Sequence, residues 1–467
     1  MIPKILHFFP DTNLSEDKLS VLTERYKNIY FDCNFIYWSE DGCNEFIKTL
    51  FPQYLTLFNQ NVKNDYGNQL KKYLILLHYG GIYFDPDLFP LRSITGLISE
   101  KKTLLSFEPT IKRSFYSSKK LLSDTFLACT KQNSFVKTII ENLLTVAEVV
   151  GNDSIQKYNM KSLINRAYNN YLNKSEIIVI RSQYLQPLTK KQINEFDESS
   201  FNKIIYAYSV RLYDQSISET QSANILAMPK NNILDVFPLI SCMCVSNNNE
   251  AFVKRCIKSF NDQLYENKEL VIIYENSSQA SDFINSISQS NIFIYNESDR
   301  VNKKTLGALR NIAIHKSSGQ FVMQWDDDDI YDPHRIFEQY IHMTDTKCDA
   351  CILDQVTIFD EIKNSFALSK KREWEGSIIF NRELSIANNL WYPELTKGED
   401  TLFVEKFKSE FTIAQLSDPF LYLYVTHKNN TFNYLHHFQL TKTVFRIFKT
   451  YLKPDDQKLH YFKSFTN

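Results

Sequence analysis

Glycine is scarce in this chain, 10 in 467 residues. Gly-rich linkers are therefore excluded, and each glycine that is present carries information; no low-complexity tract stands out. No charge dominates either. Lys and Arg total 53, Asp and Glu total 54, and the net charge is −1. A dedicated nucleic-acid binder would show a basic surplus, so that class of partner is set aside. No run of 18 apolar residues occurs, so no segment reads as a membrane span. The eight cysteines are dispersed and do not form a disulfide framework. Cys348 and Cys351 make one CxxC inside an apolar, strand-like run. They read as buried thiols, because a zinc site needs two further ligands. The opening Met1-Ile-Pro-Lys-Ile-Leu-His7 lacks a long apolar core and a cleavage site, so it reads as a first strand and the cytoplasm as the expected compartment.

What is present is ordinary globular material. Hydrophobic residues are 43% and charged residues 23%, which excludes wholesale disorder. One core seldom exceeds about 250–300 residues, so two domains are expected. Residues 1–221 form the first. A strand over 2–9 precedes helical periodicity over 15–29 and a strand over 35–38. Leu70, Tyr73, Leu74, Leu77 and His78 fall at helical spacing, which predicts a helix over 68–79 that stops at Gly80-Gly81. A short strand, 82–84, leads into Asp85-Pro86-Asp87, and 121–150 reads as mostly helical. Residues 222–237, with Pro229 inside and Pro238 beyond, read as the connection.

From Pro238 the pattern becomes a β-α-β alternation. Strands are expected over 239–245, 269–274, 291–295 and 320–325, with helices over 250–263, 279–289 and 304–317. Such alternation predicts a parallel sheet with helices on both faces and a ligand at the strands' carboxyl ends. The fold class is α/β, in two Rossmann-like units. A tail over 431–467 carries Phe438, Leu440, Val444, Phe445, Ile447, Phe448, Tyr451 and Leu452 interleaved with Lys442, Arg446, Lys449 and Lys453. It reads as a helix docked on the second domain, or as a basic amphipathic helix in peripheral contact with the inner face of a membrane.

Asp326-Asp327-Asp328-Asp329 closes an apolar strand at one of those carboxyl ends. Two unit charges at 4 Å repel by about 4 kcal/mol at an effective dielectric near 20. Such a run is tolerable if solvated, or if a hard cation such as Mg²⁺ or Mn²⁺ neutralises it. A nucleotide sugar has a diphosphate leaving group that needs the same cation. Asp85 and Asp87 repeat the pattern after a glycine break. In an extended chain, residues two apart share one side, so both carboxylates can approach one cation.

The second half resembles the family 2 glycosyltransferases of the GT-A fold, over about 238–430. The resemblance rests on Pro238-Leu-Ile-Ser-Cys-Met-Cys-Val-Ser, Gln263-x-Tyr265, Arg310-Asn311-x-Ala313, Ser318-Gly319 and the acidic run in order. It implies Asp326 at the nucleotide ribose and metal, Asp328 at the metal, and Glu275 at the base. Arg310 is implied at the nucleotide or phosphate, with a helix-surface charge as the alternative. The acidic pair Glu399-Asp400 is implied as the catalytic carboxylates, with Asp400 as general base, and Trp374-Glu375-Gly376-Ser377 as an acceptor-side strand. His427 reads either as a metal or diphosphate ligand or as a loop histidine.

The first half resembles the family 32 transferases and the catalytic domains of large glucosylating toxins, strongest over 1–9 and 68–92. Ile2-Pro-Lys-Ile-Leu-His7 and Gly80-Gly81-Ile-Tyr83-Phe-Asp85-Pro-Asp87 carry that likeness. It implies a retaining transferase with Tyr83 and Asp85 at the donor and Asp85 and Asp87 at the metal. Two departures stand out. Gln69 and Lys72 occupy positions where the family has Asp and Arg against the sugar, and the stretch containing Arg211 replaces a His-x-Trp pattern. Lys lacks the planar fork of Arg. Those departures imply a different donor, or a degenerate sugar-binding scaffold.

Together these features predict a bifunctional glycosyltransferase using Mn²⁺ or Mg²⁺ and nucleotide sugars, UDP-sugars first. The acceptor would be a saccharide or lipid-linked saccharide, as in capsule or lipopolysaccharide synthesis, with an inverting second domain. A protein acceptor is an alternative. A glycoside hydrolase needs two carboxylates ~5–10 Å apart around a sugar and has no use for a diphosphate-binding DxD.

Overall fold

A computed structural model describes residues 1–9, 16–61, 65–98, 102–107, 122–150, 161–185, 187, 207–211, 237–246, 249–275, 287–297 and 303–427. The chain divides into two compact units, Met1–Lys230 and Asn231–Asn467. The expected tail over 431–467 and almost all of the expected connection lie outside the described residues. Both units are mixed α/β.

The first unit is built on a six-stranded sheet. Its order is Asn34–Tyr37, Ile5–Phe8, Gly81–Phe84, Leu122–Cys129, Thr103–Phe107, Ile177–Ile180. The strands Ile5–Phe8, Asn34–Tyr37 and Gly81–Phe84 run parallel, and Leu122–Cys129 runs antiparallel to both of its neighbours. That last strand corrects the helix expected from residue 121. Helix begins only at Ser134 and runs to Val150. Both faces of the 122–129 strand are covered, so its apolar residues show no period-two alternation, and pairing on both edges overrides its local pattern. The core packs Leu70, Leu74 and Ile75 of helix Asp65–Tyr79 with Leu127, Val136 and Ile139.

Two glycines turn that helix into the strand that carries the first acidic motif. Gly80 and Gly81 have φ of +66° and +101°. A Cβ on Gly80 would lie 2.5 Å from Lys131 N, and one on Gly81 would lie 2.6 Å from Ile5 O. Only glycine fits both the dihedral and the space. Buried His7 clamps the same turn. The Trp38 indole donates to His7 Nδ1 at 3.0 Å, and an indole can only donate, so the proton sits on Nε2 and is given to Gly80 O at 2.8 Å.

The second unit has a seven-stranded sheet in the order Ile292–Asn296, Lys268–Tyr274, Ile240–Ser246, Phe321–Gln324, Trp374–Asn381, Ala350–Leu353, Ile413–Leu416. The first four are parallel, as the alternation predicts, but Trp374–Asn381 is antiparallel to both neighbours, so the sheet is mixed. The core joins Met243, Val271, Ile273 and Val322 to Ala313 of helix Leu306–Lys316 and Phe403 of helix Glu399–Glu410. A smaller sheet holds Ile330–Tyr331, Tyr422–Thr426, Thr357–Asp360 and Ser365–Leu368. Most of the expected 279–289 helix lies outside the described residues, and 287–289 are not helical. Cys351 is buried in its strand, whereas Cys348 precedes the strand and is half-buried; both are free thiols. Among the described residues no helix is long and apolar enough to cross a membrane.

Burial lowers the pKa of His7 from its usual 6.5 to about 4, against the hydrogen bond to Gly80. As pH falls below 6.5, the unfolded chain takes up this proton before the folded one. The contribution is complete above pH 6.5 and is lost as pH falls toward 4, on the order of 3 kcal/mol in all. Trp38 is the first unit's only tryptophan, so the ¹⁹F resonance of 5-fluorotryptophan at that position reports this unit's unfolding. The denaturation midpoint should drop between pH 6.5 and 4.5, and the drop should be smaller in His7→Gln.

Candidate active site

In the second unit the strand order reverses between Ile240–Ser246 and Phe321–Gln324. The carboxyl ends of such a pair open the crevice where doubly wound folds hold ligands. The acidic run stands at that mouth, and its four carboxylates have four different partners. Asp326 accepts from Gln324 Nε2 at 3.1 Å and pairs with Arg310 Nη2 at 3.2 Å. Asp327 accepts from Ser246 Oγ at 2.5 Å, across the switch between the two strands. Asp328 faces His427 Nε2 at 3.0 Å, and its carbonyl accepts from Arg255. Buried Asp329 accepts from Tyr422 Oη at 2.6 Å and from Val425 N at 2.8 Å. Val425 lies two residues before His427, so Asp329 anchors the strand that delivers His427 to Asp328.

Burial and crowding of charge raise the proton affinity of Asp326, Asp327 and Asp329. Burial, then the Asp328 charge, pushes Asp327 up to about 7. Burial lifts Asp329 well above the carboxylate range, and lifts Asp326 against the pull of Arg310. Beneath the run lies a fully buried cation, Arg335. Its guanidinium is 4.2, 4.8 and 5.1 Å from the rings of Tyr331, Tyr422 and Trp325, and it donates to Gln324 O at 3.0 Å.

Arg310 is buried, which removes the reading of a helix-surface charge. Its Nε reaches Glu399 Oε1 at 3.2 Å while Nη2 holds Asp326. Glu399 is itself buried, which raises it against the opposing effect of Arg310. Asp400 follows in the first helical turn, where Oδ1 accepts from Thr401 N at 2.8 Å. Its charge raises both Arg310 and Asp326, so it shares their field. Gly307, at the start of the Arg310 helix, permits this approach: a Cβ there would lie 1.9 Å from Pro393 O. Glu275, at the end of Lys268–Tyr274, accepts from Lys304 N at 2.9 Å and keeps Oε2 buried without a partner. Gly376 lies beside the run, with room for a Cβ 3.6 Å from Asp326 Oδ2.

The first unit repeats the arrangement at the switch between Ile5–Phe8 and Gly81–Phe84. Asp85 Oδ1 accepts from Asp87 N at 3.2 Å, and burial, then the Asp87 charge, pushes Asp85 up to about 7. Asp87 Oδ2 pairs with Arg211 Nε at 2.6 Å, while its Oδ1 is buried without a partner. Gln69 Nε2 donates to Asp124 Oδ2 and Lys72 Nζ to Asp124 O, both at 3.1 Å. Lys72 Nζ lies 4.8 Å from the ring of buried Tyr83, and its charge lowers Asp85. Asp124 has no mark in the sequence, because its strand reads as helix. Ser246 and Gln324 could have been found from position alone, at strand ends beside the acidic run.

Among the described residues no three His, Cys, Asp or Glu side chains form a ready-made metal cage. A magnesium-type site needs only one or two carboxylates and takes its other ligands from phosphate and water. The orphaned Asp87 Oδ1 and the Asp328–His427 pair both fit that description.

Residues 241–397 match the profile described as glycosyl transferase family 2, and residues 16–104 match that of a glycosyltransferase sugar-binding region containing the DXD motif. Both halves carry glycosyltransferase sequence. Inositol phosphoceramide mannosyltransferase 3 of Schizosaccharomyces pombe is 27% identical over 142 residues, 30% of this chain and 37% of that protein. Putative glycosyltransferase EpsH of Bacillus subtilis is 24% identical over 205 residues, 38% of this chain and 58% of that protein. The chain thus spans between a third and three fifths of these curated relatives. S. aureus TarS 1-349 in complex with UDP-GlcNAc aligns with a TM-score of 0.35 at 17% identity, covering 48% of this chain and 80% of that one.

The Arg310 cluster predicts a stability effect. Arg310→Met leaves Asp326 and Glu399 without their shared cation, and breaking a buried pair from one side costs about 3–5 kcal/mol. Asp400→Asn removes a helix-N-terminal charge, worth about 0.3–1 kcal/mol, whose attraction to Arg310 is opposed by its repulsion of Asp326. Urea unfolding should separate the two variants by that margin, and equal losses would remove the bracing role.

Proposed function

We propose that this chain is a two-site hexosyltransferase that moves sugars from nucleotide-sugar donors to a saccharide or lipid-linked acceptor. The first unit acts with retention and the second with inversion. The observation that carries the reading is the Asp326–Arg310–Glu399 chain of ion pairs, which ties the acidic run to the helix bearing Asp400. A nucleotide sugar needs its leaving group and its attacking hydroxyl handled side by side, and this cluster supports both in one crevice.

In the second site the unpartnered Glu275 Oε2 suits an N–H of the donor base. Asp326 suits the ribose, and Asp328 with His427 would hold Mn²⁺ or Mg²⁺. A bound cation supplies neutralisation of the charge that develops on the diphosphate. Asp400 takes the proton of the acceptor hydroxyl as that oxygen attacks the anomeric carbon. In the first site Asp85 and Asp87 would hold the cation, and the orphaned Gln69 Oε1 with Lys72 Nζ suits sugar hydroxyls. A matched relative is named for mannosyl transfer to inositol phosphoceramide. A mannosyl donor and a lipid-borne acceptor therefore join UDP-sugars in the first round of tests.

Gln69 and Lys72 both engage Asp124, which favours a second reading of the first unit as a sugar-binding scaffold without turnover. A screen of UDP-, GDP- and CMP-sugars with Mn²⁺, on the intact chain, separates the readings. Asp328→Ala should abolish one donor activity and Asp87→Ala another, and EDTA should stop both. If Asp87→Ala changes no activity, the scaffold reading holds; full turnover in EDTA would sink the metal-dependent reading altogether.

The role of Asp400 has its own test. Asp400→Asn should lower kcat by about 10²-fold or more, the scale of a lost general base, with donor affinity nearly unchanged. Weak donor binding with normal turnover at saturation would instead assign Asp400 to the nucleotide.

A further inference from the structure

In the first unit a cation already sits on the second carboxylate of the DxD pair. The strand Leu88–Pro90 pairs antiparallel with Ser209–Arg211, with Leu88 opposite Arg211. That register sets Arg211 beside Asp87, the residue just before Leu88. Its Nε lies 2.6 Å from Asp87 Oδ2, and both side chains are largely buried, at 15% and 30% exposure. The other oxygen, Oδ1, is buried with no partner. One face of the carboxylate is therefore held by arginine, and the other is an unused acceptor.

A donor's arrival upsets the charge balance of this cluster. Asp85 and Asp87 carry two negative charges at most, and a nucleotide-sugar diphosphate brings two more. A divalent cation balances only half of these. Among the described residues, Lys72, whose charge acts on Asp85, and Arg211, paired with Asp87, bring positive charge to this cluster. A guanidinium presents five N–H donors in a planar fork that matches phosphate. A cation bridging Asp87 and the diphosphate would bring the phosphate oxygens into the neighbourhood Arg211 occupies.

We propose that Arg211 is a diphosphate-binding residue that exchanges partners: it holds Asp87 in the donor-free protein, then releases it to the cation and turns its N–H donors to the donor's diphosphate. This rests on the two-site reading above. It gives Arg211 opposite effects on two ligands. Against bare metal it competes for Asp87, whereas for a metal–diphosphate complex it is a binding contact.

The test uses the full chain with its second site silenced by Asp326→Asn and Asp328→Asn. Calorimetry measures Mn²⁺ alone, and then UDP and GDP in saturating Mn²⁺. Arg211→Gln should bind Mn²⁺ alone several-fold more tightly. It should bind the preferred nucleoside diphosphate about tenfold or more weakly, the scale of charge-assisted hydrogen bonds. Arg211→Lys, which keeps the charge and loses the fork, should fall between. Thermal melts confirm that each variant is folded. If Arg211 is only a brace, Arg211→Gln will lower the melting temperature and weaken metal and nucleotide alike, which overturns the inference. Diphosphate binding that survives Arg211→Gln unchanged overturns the inference alone. A parent chain that binds neither UDP nor GDP with Mn²⁺ overturns it together with the reading of the first unit on which it rests.

Discussion

Arg310 lies buried between Asp326 and Glu399, two carboxylates that are far apart in sequence and come from different elements of the second unit. A buried carboxylate without a counter-charge is costly, and here one guanidinium serves two. That requirement shapes the elements around it. The Arg310 helix must approach the loop after Tyr392 closely, which Gly307 allows. Helix Glu399–Glu410 must begin beside the strand ends, and it starts from Gly398 in a left-handed conformation, φ +75°. Asp400 inherits its place from these constraints.

The acidic run is held by the same economy of charge. Each of its members has a distinct partner, and that of Asp328 is His427. Asp327 and Asp329 act as ties, to Ser246 across the strand switch and to the strand that carries His427. Arg335, caged by three rings, holds the strand end that leads into the run through Gln324 O. The first unit reaches a similar end with different parts. His7, Gly80 and Gly81 set the strand that presents Asp85, and among the described residues Lys72 acts on Asp85 and Arg211 pairs with Asp87.

Local sequence determined a good deal. Helical spacing placed the helix before Gly80, the β-α-β alternation placed the four parallel strands of the second unit, and two clusters of aspartate at strand ends marked both crevices. These features are legible because period, glycine conformation and charge density are properties of short segments. Tertiary structure decided the rest. Strand pairing on both edges made residues 122–129 a strand and so brought Asp124 to Gln69 and Lys72. An antiparallel strand over Trp374–Asn381 turned a parallel sheet into a mixed one. The division of labour within Asp326–Asp329 could not be read from four identical residues, because each role is set by a partner distant in the chain. Arg310 and Arg211 were visible as charges, but their meaning came from burial beside carboxylates that only the folded chain brings within hydrogen-bonding reach.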